Sequence, residues 1–208
     1  MPAAPDHERD PLVLEGPTLT LRYAVAGDAP RLFELAGDPQ VTRWFSWGPY
    51  TDPEQPLSYI DSLPAKRASG ELLDFLVVHR QDGPIGVTGL SELAARDARV
   101  TVGTWFAASW WGSGANRESK AMLAALAFRS LSVNRLTAWA NTHNTRSQAA
   151  LEGVGFQREG LLRAWHRHGD AVHDVFVFGM TRDDWRASPL SEVPVRIAGT
   201  PPPAWSLG

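Results

Sequence analysis

The sequence predicts a mixed α/β domain, its sheet mostly antiparallel and flanked by helices. Three observations carry this. Segments with the two-residue apolar period of strands alternate with segments carrying apolar residues at helical spacing. Three strand-like runs follow one another between residues 72 and 108, the order of an antiparallel meander. A Gly-x-Gly turn then leads into a helix, a strand and a second helix, which makes the sheet mixed.

In chain order, TLTLRYA at residues 18–24 alternates with Leu19, Leu21 and Tyr23 on one face and reads as a strand. GDAPRLFELAGD is a short helix: Asp28 caps it, Pro30 suits its first turn, and Leu32, Phe33 and Leu35 face inward. WFSWGPYTDPEQ is a loop dense in aromatics. A second helix runs from about Pro53 to Ser69, apolar at Leu57, Ile60 and Leu63, with Pro64 expected to kink or divide it. LLDFLVVHR, IGVTGLSEL and VTVGTWFAA are strands, the first two joined by a hairpin turn at QDGPIG. WWGSGANRESKAMLAALAF holds the glycine turn and its helix, NRLTAWAN is a strand, and a short helix begins near Asn144. GFQREGLLRAWHR and AVHDVFVFGMT form a last hairpin around His168, Gly169 and Asp170. One domain is therefore expected at residues 18–186, with residues 1–17 and 187–208, which hold about half the prolines, as loosely held extended segments.

Composition excludes several function classes. A chain of 208 residues can bury one sizeable core, and 43% hydrophobic with 21% charged residues is ordinary for a soluble globular protein. No apolar run approaches the roughly 20 residues of a membrane span. MPAAPDHERD lacks the pattern of a secretory signal, so the expected location is cytoplasmic. Without cysteine there are no disulfides, thiolate zinc sites or cysteine nucleophiles, and no metal is expected. A net charge of −3 without a basic cluster argues against nucleic acid as a partner.

Gly112 and Gly114 stand immediately before a helix. A helix start leaves about four N–H groups without partners and carries roughly half a positive charge, so it is a ready anion site. Glycines there let phosphate oxygens approach the backbone; equally, they can do no more than shape a strand-to-helix turn. The loop is neither GxxxxGK[ST] nor GxGxxG, because Arg117 holds the last glycine's place.

VGTWFAASWWGSGANRESKAMLAALAF followed by NRLTAWANTHNTRSQAALEGVGFQREG resembles the GNAT acyltransferase superfamily, in particular its RimJ/RimL-like N-acetyltransferase branch, over about Thr18 to Trp185. The resemblance implies a fold with splayed central strands. It implies a bulge on the fourth predicted strand, then a [QR]GxG loop whose amides grip the pyrophosphate of acetyl-CoA; the matching residues are Trp111, Gly112, Ser113, Gly114, Ala115 and Asn116. NTRSQAALEGVGF matches an NxxSxxxxxxxGF signature, which implies Asn144 and Ser147 beside the pantetheine arm. The acyl donor so implied is acetyl-CoA or another acyl-CoA, or an acyl-phosphopantetheine carrier protein, for which Arg117, Lys120 and Arg146 are candidate docking residues.

The chain departs from the pattern where chemistry is expected. Trp111 stands in place of glutamine or arginine, and Thr101 in place of a glutamate that many relatives carry on the fourth strand. An amine of pKa near ~10 must lose a proton before it attacks a thioester. Candidate acceptors for it are Glu92, then His143, His173 and Asp174. A backbone N–H near Phe106 or Ala107 is expected at the thioester oxygen. The only tyrosines, Tyr23, Tyr50 and Tyr59, lie far upstream, which leaves Ser147 to protonate the thiolate; it can equally belong to a helix cap in which Thr145 and Gln148 form a capping box. Trp44, Phe45, Trp47 and Tyr50 form either a lid on the core or a wall for the acceptor, a small-molecule amine or a protein N-terminus. A non-catalytic acyl-CoA-binding module is the alternative to an enzyme, and a monomer or homodimer is expected.

Overall fold

A computed structural model of the chain describes residues 11–168 and 170–207. Nine strands form one sheet: β1 (Val13–Glu15), β2 (Leu19–Arg22), β3 (Leu72–His79), β4 (Gly83–Ala94), β5 (Arg99–Phe106), β6 (Arg135–Asn141), β7 (Gln157–His168), β8 (Ala171–Thr181) and β9 (Arg196–Ala198). Their spatial order is β7-β8-β6-β5-β4-β3-β2-β1-β9. Among the described residues, β5 and β6 alone run parallel, and they pair only from Arg99 with Arg135 to Thr101 with Thr137. Beyond Thr101 the two strands part. β5 continues to Phe106 and β6 to Asn141 with an open wedge between them.

Helices cover both faces. On one side α1 (Ala29–Ala36) and α3 (Glu54–Ser69), joined by way of the short α2 (Pro39–Thr42), pack through Ala29, Leu32 and Ile60 onto Leu76 and Val87. On the other, α4 (Ala115–Ala125), prolonged by a π-helical turn at Leu126–Ser130, buries Ala121, Met122 and Leu123 in the larger core with Leu73, Phe75 and Val102. Each such large apolar side chain contributes roughly 1.5–3 kcal/mol by leaving water. α5 (Thr145–Glu152) follows β6, and α6 (Arg182–Ala187) follows β8.

Three expectations are corrected. The ends are not loose: β1 pairs with both β2 and β9, Leu12 and Leu14 are fully buried, and Trp205 is buried with its indole N–H donating to Arg67 O at 3.0 Å. Prolines there interrupt regular structure, but the apolar side chains between them still gain by burial. Residues 1–10 and Gly169 lie outside the described residues. Pro64 does not divide α3; it sits on the exposed side, so one missing N–H is tolerated while Ile60 and Leu63 hold the buried side. Asp28 makes no side-chain hydrogen bond to the start of α1; its carboxylate grips Arg22 through two bonds of 2.7 and 2.8 Å and takes the Val25 N–H.

Candidate active site

The wedge exposes one edge of β5. Successive residues of a strand direct their N–H groups to opposite sides, and Ala107 N–H donates to Ile85 on the β4 side at 2.9 Å. Phe106 N–H therefore faces the wedge, while Ala107, the other expected oxyanion donor, is already engaged. The bulge expected at the end of this strand is not formed, the β4 register running unbroken from Thr101 to Phe106, and Trp111 folds back to donate its indole N–H to Phe106 O at 3.1 Å.

Gly112 and Gly114 adopt left-handed φ values of 79° and 93°. A Cβ on either would meet no protein atom within 4 Å, so the space before both is open. Gly114 is the N-cap of α4 and has no side chain to take up the first-turn N–H groups. The exposed Ser113 hydroxyl stays within the loop, donating to Trp110 O at 2.8 Å and accepting from Ala115 N at 3.3 Å. These are the features of a phosphate cradle that a side chain would fill.

A cavity of about 350 Å³ runs from this loop along β5, bordered by Phe106, Gly112, Gly114, Asn116, Lys120, Asn144 and Ser147. The two sequence segments behind the family resemblance thus meet around one space. Asn144 caps α5 by accepting the Ser147 N–H at 3.2 Å, and Gln148 donates to Asn141 O and Thr142 O. The capping box expected of Thr145 and Gln148 is not formed, and the Ser147 hydroxyl takes no part in the cap.

Lys120, expected on a docking surface, is buried at 7% exposure, with its ammonium donating to Asn116 Oδ1 at 3.0 Å and Thr104 Oγ1 at 3.2 Å. Burial pushes its pKa down to about 8. Arg146 lies over the Trp111 ring, 3.2 Å from its centroid, and ties the glycine loop to α5 by a cation–π contact. Arg117, its Nη2 3.5 Å from Pro189 O, and Arg146 both remain exposed, so of the three only Lys120 is withdrawn from a partner surface.

On the opposite face of the sheet a second cavity, of about 450 Å³, is bordered by Trp47, Tyr50, Tyr59, Asp74, Gly103 and Trp105. Phe45, Thr104 and Trp105 border both cavities. The aromatic loop thus divides its residues: Trp44 faces the first cavity, Trp47 and Tyr50 the second, and Phe45 both. Trp47 packs against Phe45, Tyr50 and Trp105 at centroid distances of 5.4, 5.5 and 5.9 Å. Asp74, which the sequence reading passed over, accepts the Tyr59 hydroxyl hydrogen at 2.7 Å, and burial pushes its pKa up to about 6. The available signal was an acid inside the otherwise apolar run LLDFLVV.

Glu92 borders neither cavity. It stands at φ 53° within the irregularity between Ser91 and Ala94, and its Oε2 accepts the Thr101 hydroxyl hydrogen at 2.9 Å. Of the other candidate bases, Asp174 takes the N–H of Ala164, itself at φ 52°, at 2.7 Å, and so shapes the last hairpin. His173 lies tilted against His168 with ring centroids 4.9 Å apart, and His143 is exposed. No cluster of three acidic or histidine side chains able to hold a metal occurs among the described residues.

A profile of the acetyltransferase (GNAT) domain matches residues 18–157. The chain is 30% identical over 168 residues to the uncharacterized N-acetyltransferase p20 of Bacillus licheniformis, covering 80% of this chain and 94% of that one. Among solved structures it is similar to Mycobacterium smegmatis RimJ in complex with CoA-disulfide, at TM-score 0.74, 24% identity and coverage of 86% and 91%. It is also similar to the microcin C7 self-immunity acetyltransferase MccE in complex with acetyl-CoA and AMP, at TM-score 0.71, 18% identity and coverage of 79% and 93%.

Proposed function

Because this chain belongs to the GNAT acetyltransferase family, we propose that it moves the acetyl group of acetyl-CoA onto the primary amine of a small molecule. One observation carries the reading: the cavity that begins at the glycine loop and the cavity on the opposite face meet at Thr104 and Trp105, on the stretch of β5 that has parted from β6. Two substrates entering from opposite faces would meet there.

The residues present fit the donor. Amides at the start of α4 hold the pyrophosphate, and the wedge receives the pantetheine arm. Asn141, at the end of β6, is buried with its Nδ2 unpartnered, a donor suited to a pantetheine carbonyl. Phe106 N–H faces the thioester oxygen as it gains negative charge. The acceptor's ammonium gives its proton through water to Glu92, which lies outside both cavities, and the neutral amine attacks the carbonyl carbon; the C–N bond forms as the C–S bond breaks. The thiolate takes a proton through the Ser147 hydroxyl, which is resupplied by the proton that the new amide nitrogen sheds; Lys120 borders the same cavity. A second cavity of about 450 Å³ suits a small molecule, and the burial of Lys120 removes one of the three cations that would face a carrier protein.

The test is release of CoA thiol from acetyl-CoA in the presence of pooled small amines, with the N-acetyl product identified by mass. Hydrolysis at the same rate with and without amines would refute the transfer, and release only from an acylated carrier protein would refute the donor.

A further inference from the structure

We propose that the second cavity receives an ammonium group of the acceptor in a box made by Trp47, Tyr50, Tyr59 and Trp105, with the Asp74 carboxylate as its anionic wall. This rests on the reading of that cavity as the acceptor's side.

The backbone has been cleared for the carboxylate. Asp74 on β3 pairs with Gly89 on β4, and Gly89 pairs with Gly103 on β5. A Cβ at Gly89 would collide with Asp74 Oδ1, so only glycine lets the carboxylate lie across the sheet. At Gly103 a Cβ would meet nothing within 4 Å, so the next position is open space within the cavity. Tyr59 holds Oδ2 at 2.7 Å and fixes the orientation.

The charges favour a cation. A carboxylate taken out of water is costly unless an opposite charge meets it. Lys66 and Arg67 act on Asp74 but do not hold its pKa down, because burial dominates. Lys66 also borders the cavity, where its ammonium is drawn to Glu71 at 3.6 Å. Burial keeps the Tyr50 phenol neutral, its pKa pushed up to about 12, and moves that of Tyr59 the same way. Neutral aromatic faces attract an organic cation and give a neutral group no comparable gain. Trp47, Tyr50 and Trp105 already stand at 5.5 to 5.9 Å from ring to ring without any closure of the fold.

The experiment measures binding without the donor. Choline, whose quaternary nitrogen cannot be acylated, is compared with its neutral isostere 3,3-dimethylbutan-1-ol by calorimetry and tryptophan fluorescence. Choline is expected to bind at least ~10-fold more tightly than the alcohol. Asp74→Asn should remove most of that preference, leaving acetyl-CoA binding unchanged. Choline affinity should fall as the pH drops through about 6, where Asp74 takes up its proton. Should Asp74→Asn fail to fold, Trp47→Leu, on the loop, should weaken choline and spare the donor. Equal binding of choline and alcohol, or an undiminished preference in the folded variants, overturns the proposal. Thiol release on the same preparation separates the two readings: amine-dependent release without choline preference sinks this site and leaves the transferase standing.

Discussion

Thr101 donates its hydroxyl hydrogen to Glu92 across the β4–β5 pair, Oγ1 to Oε2 at 2.9 Å. Thr101 is the last residue of β5 to pair with β6, so the bond sets a carboxylate from the neighbouring strand at the apex of the wedge. Glu92 holds φ 53° to do so, a conformation that costs a non-glycine residue roughly 1–2 kcal/mol. The family resemblance expects a carboxylate at residue 101 itself; here β4 supplies one beside it.

If Glu92 receives the acceptor's proton, Glu92→Gln should lower kcat/KM by ~10²-fold or more while acetyl-CoA affinity holds. Adding Thr101→Glu to that variant should restore part of the rate by returning a carboxylate to β5. Single-turnover rates across pH read both. A Glu92→Gln enzyme with the parent rate removes Glu92 from the chemistry.

Gly114→Val should abolish acetyl-CoA binding, because its side chain would fill the open space before α4. It should also destabilise the fold by roughly 1–2 kcal/mol, since φ is 93°. Gly83→Val is the control: it shares a left-handed φ of 71° with open space around it, at the first residue of β4 away from the cavities. Calorimetry should find donor affinity lost in the first and kept in the second. Equal loss in both would reduce the glycine loop to a turn.

Asn144→Ala should cost about 0.5–2 kcal/mol of stability, because its side chain is the cap of α5. Ser147→Ala should leave the melting temperature nearly unchanged and lower kcat by up to ~10²-fold, since its N–H, not its hydroxyl, belongs to the cap. Thermal melts paired with kcat decide it. A Ser147→Ala enzyme that melts lower and turns over at the parent rate assigns Ser147 to structure alone.

Asp74 predicts a pH signature of stability. Its pKa rises from 3.8 to about 6 on folding, so the folded state holds this proton more tightly. The contribution is fully present below about pH 4 and is lost as the pH rises through about 6, roughly 3 kcal/mol in all. Asp74→Asn lacks that loss. Urea unfolding from pH 4 to pH 7 should show the variant gaining on the parent by up to that amount, and a constant difference would contradict the raised pKa.

The sequence by itself determined what is encoded within a few residues. The two-residue periods of β3 to β6, the helix after Gly114, the helix start near Asn144 and the aromatic loop are local patterns, and the order of glycine loop and NTRSQAALEGVGF sufficed to identify the family. The tertiary structure alone decided which distant groups share a space. It joined β1 to β9, turned Lys120 inward beneath the groove, sent Trp44 and Trp47 to different cavities, laid Asp74 over Gly89 and brought Thr101 to Glu92. Each of these rests on strand register or on burial summed over segments far apart in the chain. A one-residue shift of a strand would turn every side chain on it to the other face, and no local period fixes that register.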